Sequence, residues 1–406
     1  QIAAGEVIEN PASVIKELVE NSVDAGATSV VVAVESSGKT FISVEDNGSG
    51  VAKDQLSRMV LRHATSKIEV ISDLNTIESM GFRGEALASI SSVSRLRIRS
   101  RTSESPHGWQ LSTEGQDSLD IRITPYEQPL NVGTVVEVRD LFFRVPARQK
   151  FLSSDQSELR KIREMVKKMI LSHPGVAFVL RSDDKVLLDV SPAESIQLCH
   201  DRMKAVFGQA FVEHAFFLDQ QVPWGRVSGW CARPLFNRRF ADMQVFVLNN
   251  RPVRDKQLSF ALKRAFADVM LPGRHAAFCL YLQIDAALID VNVHPSKDLV
   301  RFSQIDEVAR SLKYVVSQAI ARDDHSPVDA VALAERVDLG HSAPPAANNQ
   351  LSLKAASGHS SQPFSADRSA AISDARLHHR ASESTASTGL LSKECDVSLS
   401  SQSASV

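Results

Sequence analysis

The sequence predicts an α+β protein: a mixed α/β domain at residues 1–205, a smaller α+β domain at 206–322 and a disordered tail at 323–406. Three observations predict it. Near the start, an amphipathic helical stretch feeds directly into two β-rich stretches joined by a glycine turn. Beyond residue 205 a second block mixes strand-like and helix-like stretches without repeating the first. From about Ser326 the composition shifts to Ser, Ala, Gln and His, with Phe364 the only aromatic as far as Val406. Such a segment cannot bury enough apolar surface to offset its ordering entropy.

The elements follow in order. Val14 to Val23 reads as a helix, because Ile15, Leu18, Val19 and Val23 fall on one side of a helical wheel. Glu17, Glu20, Asn21 and Asp24 fall within roughly 100° on the other side, which is either a solvated face or a functional one. The strands TSVVVAV and TFISVED follow, joined by a turn at Ser36 to Lys39. A helix and Gly-rich loops lead to about Ser92, then strands near Arg95–Arg101, Ile121–Thr124 and Thr134–Arg139, and a long amphipathic helix at Ser157–Ser172. In the second domain strands are expected at Val227–Cys231, Gln244–Leu248 and Ala277–Ile284, with helices near Lys256–Val269 and Ile305–Ile320.

With 406 residues and 43% hydrophobic composition, the chain can bury two or three domain cores. Its 46 basic and 48 acidic residues leave a net charge of -2, so a case for nucleic acid has to rest on local patches. Cys199, Cys231, Cys279 and Cys395 form no CxxC pair, which argues against a zinc ribbon, a redox dithiol or a disulfide framework and fits a reducing compartment. Neither a membrane span nor a signal peptide is expected. Because the chain opens on Gln1 and closes in a linker, it reads as part of a longer protein.

Several motifs carry chemistry. In EDNGSGV, Asp46 ends a strand just before Gly48 and Gly50: either a plain Asx-Gly turn, or a carboxylate placed to accept a hydrogen bond from a heterocycle's amino group. In MGFRGEALASISSV, Gly81 and Gly84 precede a helix and can expose backbone N–H groups to an anion. RHATSKI, at Arg62 to Ile68, is a solvated loop or a phosphate-facing one. VNVHPSK places His294 and Lys297 at a turn, and His294 has no partner at metal spacing. No P-loop is present, and no GxGxxG follows the first strand. Locally basic runs occur at Arg144–Lys150, Arg160–Lys168 and Arg233–Phe240, as solvated faces or as DNA contacts.

In order and spacing, KELVENSVDAG, EDNGSGV, RHATSK, GFRGEALASISSV, VGTVVEV, FFRVPARQKFL and VNVHPSK resemble the MutL/HexB family of DNA mismatch repair proteins. That family sits in the GHKL ATPase superfamily with gyrase, a heat-shock chaperone family and the histidine kinases. The resemblance covers about residues 1–322. It implies a two-layer ATPase domain of the Bergerat type, followed by a domain like the second domain of ribosomal protein S5. It also implies a weak Mg²⁺-dependent ATPase whose ATP-bound homodimer is a clamp or matchmaker on DNA, in the bacterial cytoplasm and nucleoid. The implied partners are MutS, MutH where present, and a UvrD-type helicase. An endonuclease activity of the full-length protein stays open.

The resemblance also implies residue roles. Glu17 is the general base and Asn21 holds Mg²⁺ against the phosphates of ATP, and residues four apart on a helix do project from one face. Asp46 reads adenine, with Gly50 and Thr134 in the same pocket. Gly81, Phe82, Arg83 and Gly84 form the phosphate-binding lid loop, Lys67 lies in the segment before it, and Lys297 reaches the γ-phosphate from the second domain. DNA contacts are expected at Arg148, Lys150, Arg251 and Arg254. Three departures are expected from the resemblance: the family's chain starts about a dozen residues before Gln1, its usual Asn-Gly-Arg reads Asn249-Asn250-Arg251 here, and the C-terminal dimerisation domain that follows the family's linker is missing from this sequence. A non-hydrolysing scaffold using the same pocket remains an alternative. A signalling kinase is disfavoured because no phosphoacceptor-histidine helix pair precedes the motifs, and a type II topoisomerase because no cleavage domain is visible.

Overall fold

Asn10 starts the first helix: its side chain accepts from Ser13 N at 3.0 Å, and Pro11 takes the first helical position, where no N–H is needed. The structure is a computed structural model that describes residues 8–61, 85–114, 121–195, 199–290 and 300–323. Helix α1 (Pro11–Asp24) leads into β1 (Ser29–Glu35), β2 (Phe41–Asp46), α2 (Lys53–Met59), α3 (Ala86–Val93), β3 (Arg95–Arg101), β4 (Gly108–Thr113), β5 (Arg122–Tyr126) and β6 (Gly133–Arg139). Then come α4 (Pro146–Phe151), α5 (Asp155–Ser172), β7 (Ala177–Ser182), β8 (Lys185–Val190), α6 (His200–Phe207) and α7 (Gln209–His214).

These strands form one eight-stranded sheet in the order β5-β4-β3-β6-β2-β1-β7-β8. It is antiparallel except where β1 runs parallel to β7. Burial alternates along β1 and β2, so one face of the sheet is covered, and α1 packs there beside α5. The result is a two-layer α/β sandwich. Strands β4, β7 and β8 were not among the expected elements. Strand β4 pairs with its sequence neighbours β3 and β5, and β7 and β8 form a hairpin that joins the sheet through the parallel pairing of β7 with β1.

The second sheet takes β9 (Ala215–Val222), β10 (Gly225–Ala232), β12 (Gln244–Leu248), β13 (Arg251–Val253) and β15 (Phe278–Ile284) in the order β13-β12-β15-β10-β9. Two small ladders pair β11 (Asn237–Arg238) with β14 (His275–Ala276), and β16 (Ile289–Asp290) with β17 (Arg301–Phe302). Helices α8 (Lys256–Ala265) and α9 (Ile305–Asp323) pack on each other and cover one face. There Leu258, Leu262, Leu312 and Val316 meet Phe278, Leu280 and Leu282 of β15. The intervening Cys279 and Tyr281 belong instead to the core of the first domain. Strand β15 is therefore buried on both sides, and the two domains share a continuous apolar junction.

A polar bond crosses that junction at the C-terminal end of α5, and others brace the same end from within the first domain. Tyr281 Oη donates to Leu171 O at 2.9 Å. Arg202, only 2% exposed, donates to the carbonyls of Ile170, His173, Val176 and Ser191. A buried guanidinium needs this many acceptors, because each N–H left unmade would cost its desolvation. Cys199, Cys231 and Cys279 are buried free thiols, and burial pushes Cys279 up to about 12, which makes it inert rather than reactive.

Candidate active site

The site is built where the end of α1 meets the turn after β2. Three bonds staple the two together. Asn47 Oδ1 accepts from Thr28 N and Ser29 N at 2.9 and 2.8 Å, and Ser49 N donates to Ala25 O at 3.0 Å. Ser22, on the last turn of α1, donates to Asp46 Oδ2 at 2.8 Å. Asp46 Oδ1 accepts from Gly48 N at 2.9 Å, and Asp46 lies opposite Thr134 in the β2–β6 ladder. Burial raises the Asp46 pKa above its ordinary 3.8, and hydrogen bonds from Gly48, Ser22 and Thr134 only partly offset that. A carboxylate in this position gains from a further donor.

Behind Asp46 lies Ser100 of β3, fully buried. Its Oγ accepts from Val51 N at 2.8 Å, donates to Gly133 O at 2.9 Å and sits 2.9 Å from Thr134 Oγ1. It ties the Gly50–Val51 turn to β6, and neither spacing nor motif singled it out, since a lone serine in a strand has no signature. Gly50 sits at φ 72°, where a Cβ would stand 2.2 Å from Arg101 O. Gly133, at φ 134°, would place a Cβ 2.0 Å from Asp46 O. Both positions require glycine for the close approach of neighbouring backbone.

The polar side of α1 is not a solvated face. Glu17 is 14% exposed at its side chain, Asn21 is half-buried, and Glu20 is 4% exposed with Lys16 Nζ at 2.7 Å. Glu17 and Asn21 share one lane of the helix. This donor set suits Mg²⁺, which takes hard oxygen ligands and is usually held by one or two protein groups plus phosphate oxygens. Among the described residues no group of three or more His, Cys, Asp or Glu forms an all-protein metal cage.

Lys67, Gly81, Phe82, Arg83, Gly84 and Lys297 lie outside the described residues. Of the four arginines and lysines expected on DNA, Lys150 and Arg254 are exposed, while Arg148 is half-buried and donates to Ile8 O at 2.9 Å. Arg251 is 6% exposed and offers the least surface of the four. It follows a two-residue hairpin turn in which Asn249 and Asn250 adopt φ 45° and 66°. In the basic run at Arg233–Phe240, Arg233 pairs with Asp323 at 2.7 Å and Arg238 with Asp242 at 2.8 Å, so two of its three charges are already matched.

Comparisons with known proteins place this geometry. Residues 8–136 match the family model described as histidine kinase-, DNA gyrase B-, and HSP90-like ATPase. Residues 203–321 match that of the DNA mismatch repair protein, C-terminal domain. The MutL ATPase domain of Aquifex aeolicus, solved with ADP, is 30% identical with a TM-score of 0.50 over 68% of this chain and 93% of that one. This chain belongs to the MutL family. A solved N-terminal domain of a DNA repair protein covers 80% of this chain and 98% of its own, at 25% identity and a TM-score of 0.67. The MutL of Cellvibrio japonicus (strain Ueda107) is 45% identical over 344 residues, 85% of this chain and 54% of that protein. The chain thus spans about half the length of the curated MutL relatives it matches. The expected fold, a GHKL-type ATPase domain followed by an α+β domain, is the fold observed. No helix among the described residues is long and apolar enough to cross a membrane.

Proposed function

We propose that this chain binds ATP between α1 and the β2–β6 edge and hydrolyses it slowly, as the nucleotide-driven part of a DNA mismatch repair matchmaker. The observation that carries the reading is the joint between Ser22 and Asp46. It fixes the Asp46 carboxylate against the helix that bears Glu17 and Asn21. Asp46 accepts the adenine amino group, with Gly50 and Thr134 shaping the pocket wall. Glu17 takes a proton from the attacking water, and Asn21 offers its carboxamide oxygen to the metal. Mg²⁺, when bound, supplies charge neutralisation at the phosphates. Lys67, the Gly81–Gly84 loop and Lys297 are assigned to the phosphates by the family resemblance.

The solved Aquifex aeolicus relative is an ADP complex, which supports nucleotide binding here. Lys150 and Arg254, with Arg148, are the residues proposed for DNA. Assembly as an ATP-induced homodimer that couples MutS to MutH or a UvrD-type helicase, in a bacterial cytoplasm at the nucleoid, is proposed from the family resemblance. The decisive experiment is Glu17→Ala. ATP binding is expected to persist while turnover falls about 10²- to 10⁴-fold, because only the water-activating group has gone. Unchanged turnover removes Glu17 from the mechanism. Single-turnover hydrolysis with and without Mg²⁺ separates this reading from a non-hydrolysing scaffold.

A further inference from the structure

Strand β9 ends the five-stranded sheet, so among the described residues one of its edges carries backbone N–H and C=O groups that no strand pairs. Proteins blunt such an edge with lysine, proline or a bulge, and AFFLDQQV (Ala215–Val222) has none of these. Its one charge, Asp219, is already matched, accepting from Arg226 Nε at 2.7 Å. Beside the edge a groove of about 920 Å³ runs between β9 and α9. Every residue from Phe216 to Pro223 borders it, so it follows the strand along nearly its whole length. From α9 it takes a single stripe, in which Arg310, Tyr314, Gln318 and Arg322 recur every four residues. Of the groove's apolar members Leu218 and Val315 are buried, whereas Tyr314 is 67% exposed. The eight residues of β9 and the reach of α9 from Glu307 to Asp323 each span roughly 25 Å. A strand edge beside a helix of matching length takes in an extended segment: the edge supplies main-chain hydrogen bonds and the helix supplies side-chain contacts.

The chain itself leads to this groove. Helix α9 ends at Asp323, which borders the groove and accepts from Arg233 Nε and Nη2 at 2.7 and 3.1 Å. Arg233 N in turn donates to His214 O at 2.8 Å, immediately before β9. The end of α9 is therefore fixed at the start of β9, and a segment doubling back from it runs along β9 in the same direction. Asp324, His325, Ser326 and Pro327 are residues suited to such a reversal. VDAVALAERVDL (Val328–Leu339) follows. Five of its twelve residues are Val or Leu, more than any later stretch of that length holds, so it is the part of the tail with apolar surface to bury. In an extended segment Val331, Leu333, Val337 and Leu339 share one face. Charge agrees with the fit. Asp329, Glu335 and Asp338 outnumber Arg336 in the segment, and once the paired Asp219 and Asp323 are set aside, Arg310 and Arg322 outnumber Glu307 in the groove. A four-residue tether holds the segment at an effective concentration on the order of millimolar, which fills even a weak site.

We propose that Val328–Leu339 adds to the edge of β9 as a parallel strand, with Val331 and Leu333 turned into the groove against Leu218, Val315 and Tyr314. The tail thereby begins as part of the second domain and closes an edge that is otherwise open to other extended segments. The proposal is independent of the nucleotide reading above.

The test follows backbone hydrogen exchange in the full 406-residue chain, in wild type, in Val331→Asp/Leu333→Asp and in the groove variant Tyr314→Asp, with thermal melts to verify folding. In wild type, Val328–Leu339 is expected to exchange more slowly than the same peptide free in solution. Each variant is expected to speed exchange about tenfold or more in that segment and at the β9 edge together, leaving the ATPase sheet unchanged. As a geometric check, Gln220→Cys/Ala332→Cys in a Cys395→Ser background is expected to form a disulfide under mild oxidation, and Gln220→Cys/Ala370→Cys to form far less. Three results overturn the proposal. One is wild-type exchange in Val328–Leu339 at the free-peptide rate. Another is a β9 edge whose protection survives Val331→Asp/Leu333→Asp, which means that something else covers it. The third is protection that rises with protein concentration, which assigns the groove to a second copy of the chain.

Discussion

Replacing Asp46 with Asn separates the carboxylate's role in recognition from its role in the fold. In the native protein the two oxygens of Asp46 receive Gly48 N at 2.9 Å and Ser22 Oγ at 2.8 Å. An asparagine keeps one oxygen for Gly48 N. Its amino group can donate to Ser22 Oγ, since that hydroxyl has a second acceptor in Leu18 O at 3.1 Å. The variant also escapes the burial penalty that raises the Asp46 pKa. Stability is therefore expected to change by less than about 1 kcal/mol. Nucleotide affinity behaves differently, because an amide N–H₂ facing the adenine amino group is a donor meeting a donor. Losing a hydrogen bond to a charged group costs about 1.5–3 kcal/mol, or roughly 10- to 100-fold in Kd. Isothermal titration with ATP and GTP, paired with urea melts, reads both quantities. The wild type has a further signature. Because the folded protein holds the Asp46 proton to higher pH than the unfolded chain, this group makes stability fall as pH rises from 3.8 through the raised native value. The Asn variant lacks that contribution. Wild-type ATP affinity in Asp46→Asn, or a loss of several kcal/mol in stability, refutes the reasoning.

Two other predictions concern the groups around the site. Ser100→Ala removes the shared partner of Val51 N, Gly133 O and Thr134 Oγ1. It is expected to cost about 1–3 kcal/mol in a urea melt and to weaken ATP binding, whereas an unchanged melt and affinity would reduce Ser100 to a spectator. Neutralising Lys150 and Arg254 is expected to weaken DNA binding in a filter or fluorescence assay and to lower the slope of log K against log salt by about one for each phosphate no longer neutralised. A slope that does not move removes those residues from the DNA surface.

Much of this protein was legible in local sequence, because its signals are local. The i, i+4 spacing puts Glu17 and Asn21 on one face of α1 whatever surrounds the helix. The Asp-Asn-Gly-Ser-Gly run makes a turn at a strand end. Helix and strand positions in the second domain followed from the same periodicities, with Gln244–Leu248 found where it was expected.

What only the tertiary structure decided are the relations between residues with no spacing in common. Glu20 and Glu17 look alike on a helical wheel, yet Glu20 is the more buried, on a helix whose largest packing partner, α5, lies more than 130 residues further along the chain. Arg251 reads as a surface cation beside a hairpin turn, and only the seating of that turn against β15 and α5 takes it out of solvent. Ser100 becomes a hub because β3, β6 and the Gly50 turn converge on it. Sequence sets which groups a segment offers and which way they point around its own axis. Which of those groups lose water depends on what packs against the segment, and that is settled by contacts whose partners are far apart in the chain.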